Sequence, residues 1–164
     1  MNDKAPDENN VKNYIEDGAI VLEKFGWPRM AGRIMVYLTV CDPSYQSHKD
    51  IVTYLKASKA SVSTMLQLLR EAGFVEKIAF PGDRIDYYKI KEEAWHNICR
   101  RRHALYTSVV DFSNIGLELF KDVPLEKKKR LEDFKDFHTW LSHCYGKALD
   151  EWTSQKVEKG NNRG

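Results

Sequence analysis

The sequence predicts a mainly α-helical fold that includes one small β-hairpin, an α+β arrangement. Three observations predict it. Apolar residues recur at helical spacing in six segments of the 164-residue chain. Two β-rich runs, 74–80 and 85–90, flank Pro81-Gly82, which suits the centre of a type II turn. Residues 47–90 as a whole read as a short helix, a tight turn, a second helix and this hairpin. That order is typical of a winged helix-turn-helix, here with flanking helices on both sides.

The composition is that of a globular protein without a membrane span. Hydrophobic residues make up 42% and charged residues 30%, and no apolar run approaches the ~20 residues that a span needs. The first ten residues are polar and acidic, unlike a secretory leader. Three cysteines, far apart and without CxxC spacing, are typical of reduced thiols. We therefore expect a cytoplasmic location.

The charge is distributed unevenly, although the net charge is only +2. Residues 1–26 carry 3 basic and 6 acidic side chains, residues 27–102 carry 13 and 8, and residues 103–164 carry 10 and 10. The positive excess thus coincides with the predicted helix-turn-helix and hairpin. Such an excess favours contact with phosphate groups.

The N-terminal part is predicted as a disordered segment, 1–10, and a packing or dimerisation helix, 11–26. This helix is too short to fold alone, so it either covers the neighbouring domain or exchanges with a partner chain. A DNA-binding domain is predicted over 27–91. Its first helix opens at Pro28 and ends before Asp42-Pro43, and Gly32 within it indicates a close helix crossing.

Ser47 and Ser58 are good N-caps for the two helices of the predicted helix-turn-helix, with the turn at Lys56-Ala57. The outward positions near the start of the second helix are small, hydrogen-bonding or basic, and no acidic residue lies between Ser58 and Glu71. A recognition helix meets base edges with its N-terminal residues. An ordinary solvated helix face is the alternative reading of the same residues.

Arg84 projects from the predicted hairpin tip, where an arginine can enter the adjacent minor groove. Pairing with Asp83 or Asp86 is the alternative. After the hairpin, two long amphipathic helices are predicted over 92–158, broken at Pro124, and a disordered tail over 159–164. Their wide apolar stripes need a surface to bury against, and dimerisation is the simplest one.

The sequence contains little that indicates an enzyme active site, a cofactor site or a metal site. It contains no GxSxG, HExxH or phosphate-binding glycine loop, so we predict no enzyme activity and no cofactor. His96, Cys99 and His103 share one helical face, yet no fourth ligand has motif spacing, and we predict no metal site. Plentiful aromatic residues are usually core. A small-molecule effector pocket between the DNA-binding and dimer helices, even one for a quaternary ammonium cation, stays open.

These residues resemble the GbsR/MarR-like winged helix-turn-helix transcriptional regulators over about residues 26–95. The matching segments are GWPRMAGRIMVYL (26–38), SKASVSTMLQLLREAGFVEK (58–77) and PGDRIDYYKI (81–90). The resemblance implies a homodimer that binds double-stranded DNA at a roughly palindromic operator and acts mainly as a repressor. It also implies the contact residues, which are Ser58, Lys59, Ser61, Ser63, Thr64 and Gln67 in the groove and Arg84 on the wing. A protein–protein interaction module is the alternative function for a winged helix.

Overall fold

The computed structural model describes residues 6–161, and the side chains of residues 6–155. Predicted disorder at residues 1–5 and 162–164 lies outside the described residues. Six helices and three strands follow in the order α1 (Glu8–Lys24), α2 (Arg29–Val40), β1 (Gln46–Ser47), α3 (His48–Leu55), α4 (Lys59–Glu71), β2 (Val75–Ile78), β3 (Tyr87–Ile90), α5 (Ala94–Leu119) and α6 (Leu125–Asn161) among the described residues. The predicted mainly α-helical winged-helix fold is confirmed.

The chain divides into two compact units, one ending at Ala94 and one beginning at Trp95. Unit 1 has a continuous apolar core to which all four of its helices and the sheet contribute. The buried core side chains of unit 1 are Ile15, Ala19, Ala31, Ile34, Met35, Tyr37, Leu38, Ile51, Leu55, Val62, Leu66, Leu69, Phe74, Val75 and Ala94.

Helix α1 packs on α2 of the same unit. At the crossing, a Cβ atom added to Gly32 would lie only 3.0 Å from the Cα atom of Ala19, so the predicted close crossing is confirmed. The prediction of disorder up to residue 10 is wrong for residues 8–10. The Asp7 carboxylate accepts hydrogen bonds from the backbone N–H groups of Asn9 and Asn10 and starts the helix earlier.

The sheet has three strands in the order β1-β3-β2, and both pairings are antiparallel. Strand β1 was not predicted, because two polar residues carry no strand pattern and their partner, β3, lies some forty residues later. The strands of the hairpin are shorter than the predicted runs 74–80 and 85–90. Around the tip the Asp83 carboxylate accepts from the backbone N–H of Ile85, which takes this residue out of the ladder.

Unit 2 is a hairpin of two long antiparallel helices. Contacts link residue 96 to 153, 107 to 142 and 116 to 131, so α5 and α6 run alongside each other over most of α5. The predicted start at residue 92 is two residues early, since 92 and 93 form a turn before Ala94. The predicted disordered tail is wrong for 159–161, where α6 continues to Asn161.

Candidate nucleic-acid interface

The two helices of the helix-turn-helix are fixed at both ends by local hydrogen bonds. Ser47 and Asp50 form a capping box at the start of α3, with the Ser47 hydroxyl 3.1 Å from the Asp50 backbone nitrogen. Lys56 adopts a left-handed conformation, with φ 48°, and turns the chain toward α4. Ser58 then caps α4 by accepting from the backbone N–H of Ser61. The predicted caps and turn are confirmed.

The start of α4 is also tied to the start of α3 by a side chain that the sequence reasoning missed. The Nε2 atom of His48 lies 3.2 Å from the backbone oxygen of Lys59. A carbonyl oxygen only accepts, so the imidazole carries its proton on Nε2 in this contact. A histidine at the first position of a short helix gives no pattern from which the contact could have been predicted.

The predicted groove residues lie together on the outward face of α4. Ser58, Lys59, Ser63, Thr64 and Gln67 are exposed, and Ser61 is half-buried. Two of these side chains already have partners. The Thr64 hydroxyl donates to the Ala60 carbonyl, and the Gln67 amide donates to the Glu71 carboxylate at 2.9 Å. The amide oxygen of Gln67 keeps its full acceptor capacity.

The wing tip is an ordered turn. Gly82 has φ 83°, as the third position of a type II turn requires, and the Asp83 N–H donates to the Phe80 carbonyl at 3.0 Å. The Asp83 carboxylate accepts from the Tyr87 hydroxyl at 2.7 Å. This bond, with the backbone N–H of Ile85, lowers the pKa of Asp83, and it raises the pKa of Tyr87.

Both carboxylates that could pair with Arg84 are engaged elsewhere. Asp83 is held by Tyr87, and Asp86 pairs with Lys77 at 2.7 Å. Among the described residues Arg84 has no ion pair, and its side chain is exposed at the tip. The structure therefore does not support the alternative that Arg84 pairs with its acidic neighbours.

Three aromatic rings support the base of the wing. The ring centroids of Tyr45 and Phe80, Tyr45 and Tyr87, and Phe80 and Tyr87 lie 5.0, 5.3 and 5.4 Å apart. Such aromatic pairs contribute about 0.5–1.5 kcal/mol each beyond the area that they bury. The wing is thus held at its base by the segment before β1 and at its tip by Asp83.

A groove of about 600 Å³ runs between α4 and the strands of the wing. Sequence reasoning found Ser63 and Gln67 in its wall but missed the basic residues Arg70, Lys77 and Lys91. These lie beyond the N-terminal half of α4, which is the part of a recognition helix that meets base edges. The residues that line the groove are Ser63, Leu66, Gln67, Arg70, Glu71, Val75, Glu76, Lys77, Tyr88 and Lys91.

Unit 2 does not bring the candidate metal ligands together. Across the described residues, no group of three or more His, Cys, Asp or Glu side chains could hold a metal ion. His96 lies 3.4 Å from the Thr153 hydroxyl, and His103 lies next to Gly146. A polar cleft of about 400 Å³ occurs between α5 and α6 instead. The residues that line it are His103, Thr107, Val110, Thr139, Ser142, His143, Gly146, Lys147 and Asp150.

Comparison with known proteins extends the likeness beyond the winged helix. A family profile described as "MmpR5-like MarR family transcriptional regulator" matches residues 93–155, within the helical hairpin. The HTH-type transcriptional regulator MmpR5 of Mycobacterium tuberculosis is 28% identical over 156 residues, which are 95% of this chain and 94% of that protein. The chain is thus similar to MarR-family transcriptional regulators in both its winged helix and its helical hairpin. A crystal structure described as a transcriptional regulator superposes with a TM-score of 0.74 and 28% identity, over 88% of this chain and 99% of that one.

These similarities support a DNA-binding transcription regulator and not an enzyme. The MarR part of the predicted resemblance is confirmed, and its GbsR-like part stays a prediction. No described helix of the regulator is long and apolar enough to cross a membrane.

Proposed function

We propose that this regulator acts as a homodimer that reads a roughly palindromic operator, with α4 in the major groove and Arg84 of each wing in the adjacent minor groove. The observation that carries the proposal is the outward face of α4. It presents hydroxyl, amide and lysine groups beside a basic groove and an arginine-tipped wing. Asn, Gln, Ser, Thr and Lys are the side chains that read base edges in the major groove.

The predicted groove residues have distinct roles in this proposal. Lys59 supplies charge at the N-terminus of α4, where the helix dipole already favours a phosphate. Ser63 and Gln67 face the bases, and Gln67 can pair with adenine once its amide leaves Glu71. Arg70 and Lys91 lie along the groove between α4 and the wing, where they can accompany the phosphate backbone.

The apolar surface of unit 2 supports the homodimer. Only Ser113 and Leu149 are buried among its described side chains. Eleven large apolar side chains of this unit are exposed: Trp95, Leu105, Phe112, Ile115, Leu119, Phe120, Leu125, Phe134, Phe137, Trp140 and Trp152. At about 100 Å² each they expose roughly 1,000 Å², more than a stable monomer tolerates and close to the ~800 Å² per partner of a standard interface.

A second copy of the chain is the occupant that we propose for this surface. Phe112→Glu places a charge where 70% of the ring is exposed, and it should shift the protein toward monomer in sedimentation equilibrium. Asn114→Glu, at an exposed polar position of the same helix but on a different face from Phe112, is the matched control and should leave the dimer intact. Equal effects of the two substitutions would contradict the proposed interface.

The function is tested by selecting binding sites from a pool of random duplexes with the purified protein. We expect an inverted repeat whose half-site centres are about 10 bp apart, one turn of DNA. Gln67→Ala should relax the selected sequence at one position of each half-site. If no sequence is enriched, the protein would serve instead as an interaction module without sequence-specific binding.

Repression, location and an effector complete the proposal. A dimer that covers an operator within a promoter blocks transcription, so a reporter driven by the DNA upstream of the protein's own gene should be more active without the regulator. Because the proposed target is chromosomal DNA, the protein would be located in the cytoplasm. The polar cleft of unit 2 is a candidate effector site, and a thermal-shift screen with small polar metabolites tests it. Gly146→Leu, which would fill the cleft, should abolish any shift.

A further inference from the structure

Arg33, on α2, makes two contacts to other helices that could not be predicted from sequence spacing. One guanidinium nitrogen donates to the backbone carbonyl of Leu55 at 2.9 Å. The Nε atom lies 2.6 Å from a carboxylate oxygen of Glu16 on α1. Its N–H does not point at that oxygen, so this second contact is an ion pair and not an aligned hydrogen bond. A single side chain thus joins three helices.

The Leu55 carbonyl lies at the C-terminus of α3, immediately before the turn of the helix-turn-helix. It belongs to the last residue of α3, where backbone carbonyls lack intrahelical partners and carry the negative end of the helix dipole. The next residue, Lys56, adopts the left-handed conformation, which is unfavourable for a residue that has a Cβ atom. A cationic donor at the Leu55 carbonyl stabilises the chain where it turns toward α4.

The other end of the link is equally well fixed. Glu16 also pairs with Arg29, at 3.3 Å, and Arg29 pairs in turn with Glu23 at 3.6 Å. The Arg33 side chain is 22% exposed, so solvent screens its contacts less than those of a surface pair.

We propose that Arg33 is a positioning residue for DNA recognition. By holding the Leu55 carbonyl and Glu16 together, it sets the direction in which α4 leaves the turn, and it makes that direction depend on α1. This inference rests on the proposed reading of DNA by α4. Arg33 itself does not contact DNA in this scheme, so its loss should affect sequence discrimination and not phosphate attraction.

The test compares Arg33→Lys with Arg29→Lys. Lysine keeps the charge but is a point donor that cannot bridge both partners as the guanidinium fork does. Arg29 is the matched control, because it lies on the same helix and pairs with Glu16 but has no contact with Leu55. Dissociation constants are measured for the selected operator and for a shuffled duplex at two salt concentrations, with folding checked by circular dichroism.

We expect Arg33→Lys to reduce the ratio of specific to non-specific affinity about tenfold, the value of one good base contact. The salt slope should not change, since no phosphate contact is lost. Arg29→Lys should leave the ratio unchanged. Glu16→Gln, a milder change at a half-exposed position, should reduce the ratio in the same direction and guards against misfolding of the first variant.

Three results would overturn the inference. Equal ratios for Arg33→Lys and wild type would show that the link does not position α4. Equal losses in Arg33→Lys and Arg29→Lys would show only general destabilisation of α2. A salt slope reduced by about 1 in Arg33→Lys would indicate direct phosphate contact. If the wild type itself selects no operator, the proposed function fails first, and the two failures are thereby distinguished.

Discussion

Arg84→Ala tests the wing directly, because the surroundings of Arg84 make the substitution unusually clean. Asp83 and Asp86 already accept hydrogen bonds or ion pairs from Tyr87 and Lys77. Removing the guanidinium therefore leaves neither carboxylate without its present partner. We expect the fold of the wing to persist and the loss to fall on DNA binding alone.

In the adjacent minor groove each Arg84 would lie between the two phosphate backbones, so we count it as one phosphate contact per wing. Each contact contributes about 0.9 to the slope of log K against log salt, so a homodimer that loses two should lose about 1.8. Over a fourfold rise in salt, from about 50 to 200 mM, the affinity advantage of wild type over variant should shrink about tenfold. The weakening should be similar for operator and shuffled duplexes, since a phosphate contact carries no sequence information.

The assay is a fluorescence-anisotropy titration of both duplexes at four salt concentrations. Lys129→Ala is the control, because Lys129 is an exposed cation on α6 that is not among the predicted DNA contacts. Its slope should match that of wild type. An unchanged slope for Arg84→Ala would remove this arginine from the DNA, and a loss confined to one sequence would indicate base readout.

Three further predictions concern the scaffold. Gly32→Ala should lower the free energy of unfolding by about 1–2 kcal/mol in urea titrations, because the clash with Ala19 outweighs the ~1 kcal/mol gained in helix propensity; an unchanged midpoint would show that the helices can separate. Tyr37→Phe should cost about 1–2 kcal/mol by leaving a buried amide oxygen unpaired, and a neutral result would mean that water replaces the hydroxyl. Tyr87→Phe should raise the pKa of Asp83 toward its ordinary value in a carbon-detected NMR titration, because the hydroxyl lowers this pKa and its bond is lost as pH falls below the usual carboxyl range; an unmoved titration would assign the low pKa to the backbone donors.

Local features were predicted well because their causes are local. Ser47 and Ser58 cap the helices that follow them, and Gly82 allows the turn of the wing, each through contacts within a few residues. The outward face of α4 also follows from helical periodicity alone. These local features are sufficient to predict the fold and the family resemblance from the sequence.

The element boundaries that were predicted wrongly depend on partners distant in the chain, or on local hydrogen bonds that end or extend an element. Strand β1 exists because β3 offers it a ladder, and Tyr37 fixes it by donating to the buried amide of Gln46 at 3.0 Å. Burial raises the pKa of Tyr37 to about 12, so the phenol stays a donor at ordinary pH. A two-residue polar segment contains none of this information.

The sequence by itself determined that this chain has a winged helix-turn-helix with a polar, basic recognition face and long apolar flanking helices. Helical periodicity, caps and turn residues depend on residues that are close in sequence, so they can be predicted without a structure. Only the tertiary structure decided which cations are available and which are engaged. Lys77 forms an ion pair with Asp86, whereas Arg84 forms none among the described residues. Arg33 joins α1 to the turn before α4. Ion pairs depend on distances that folding sets between residues remote in sequence, so these partners could not be predicted from the sequence.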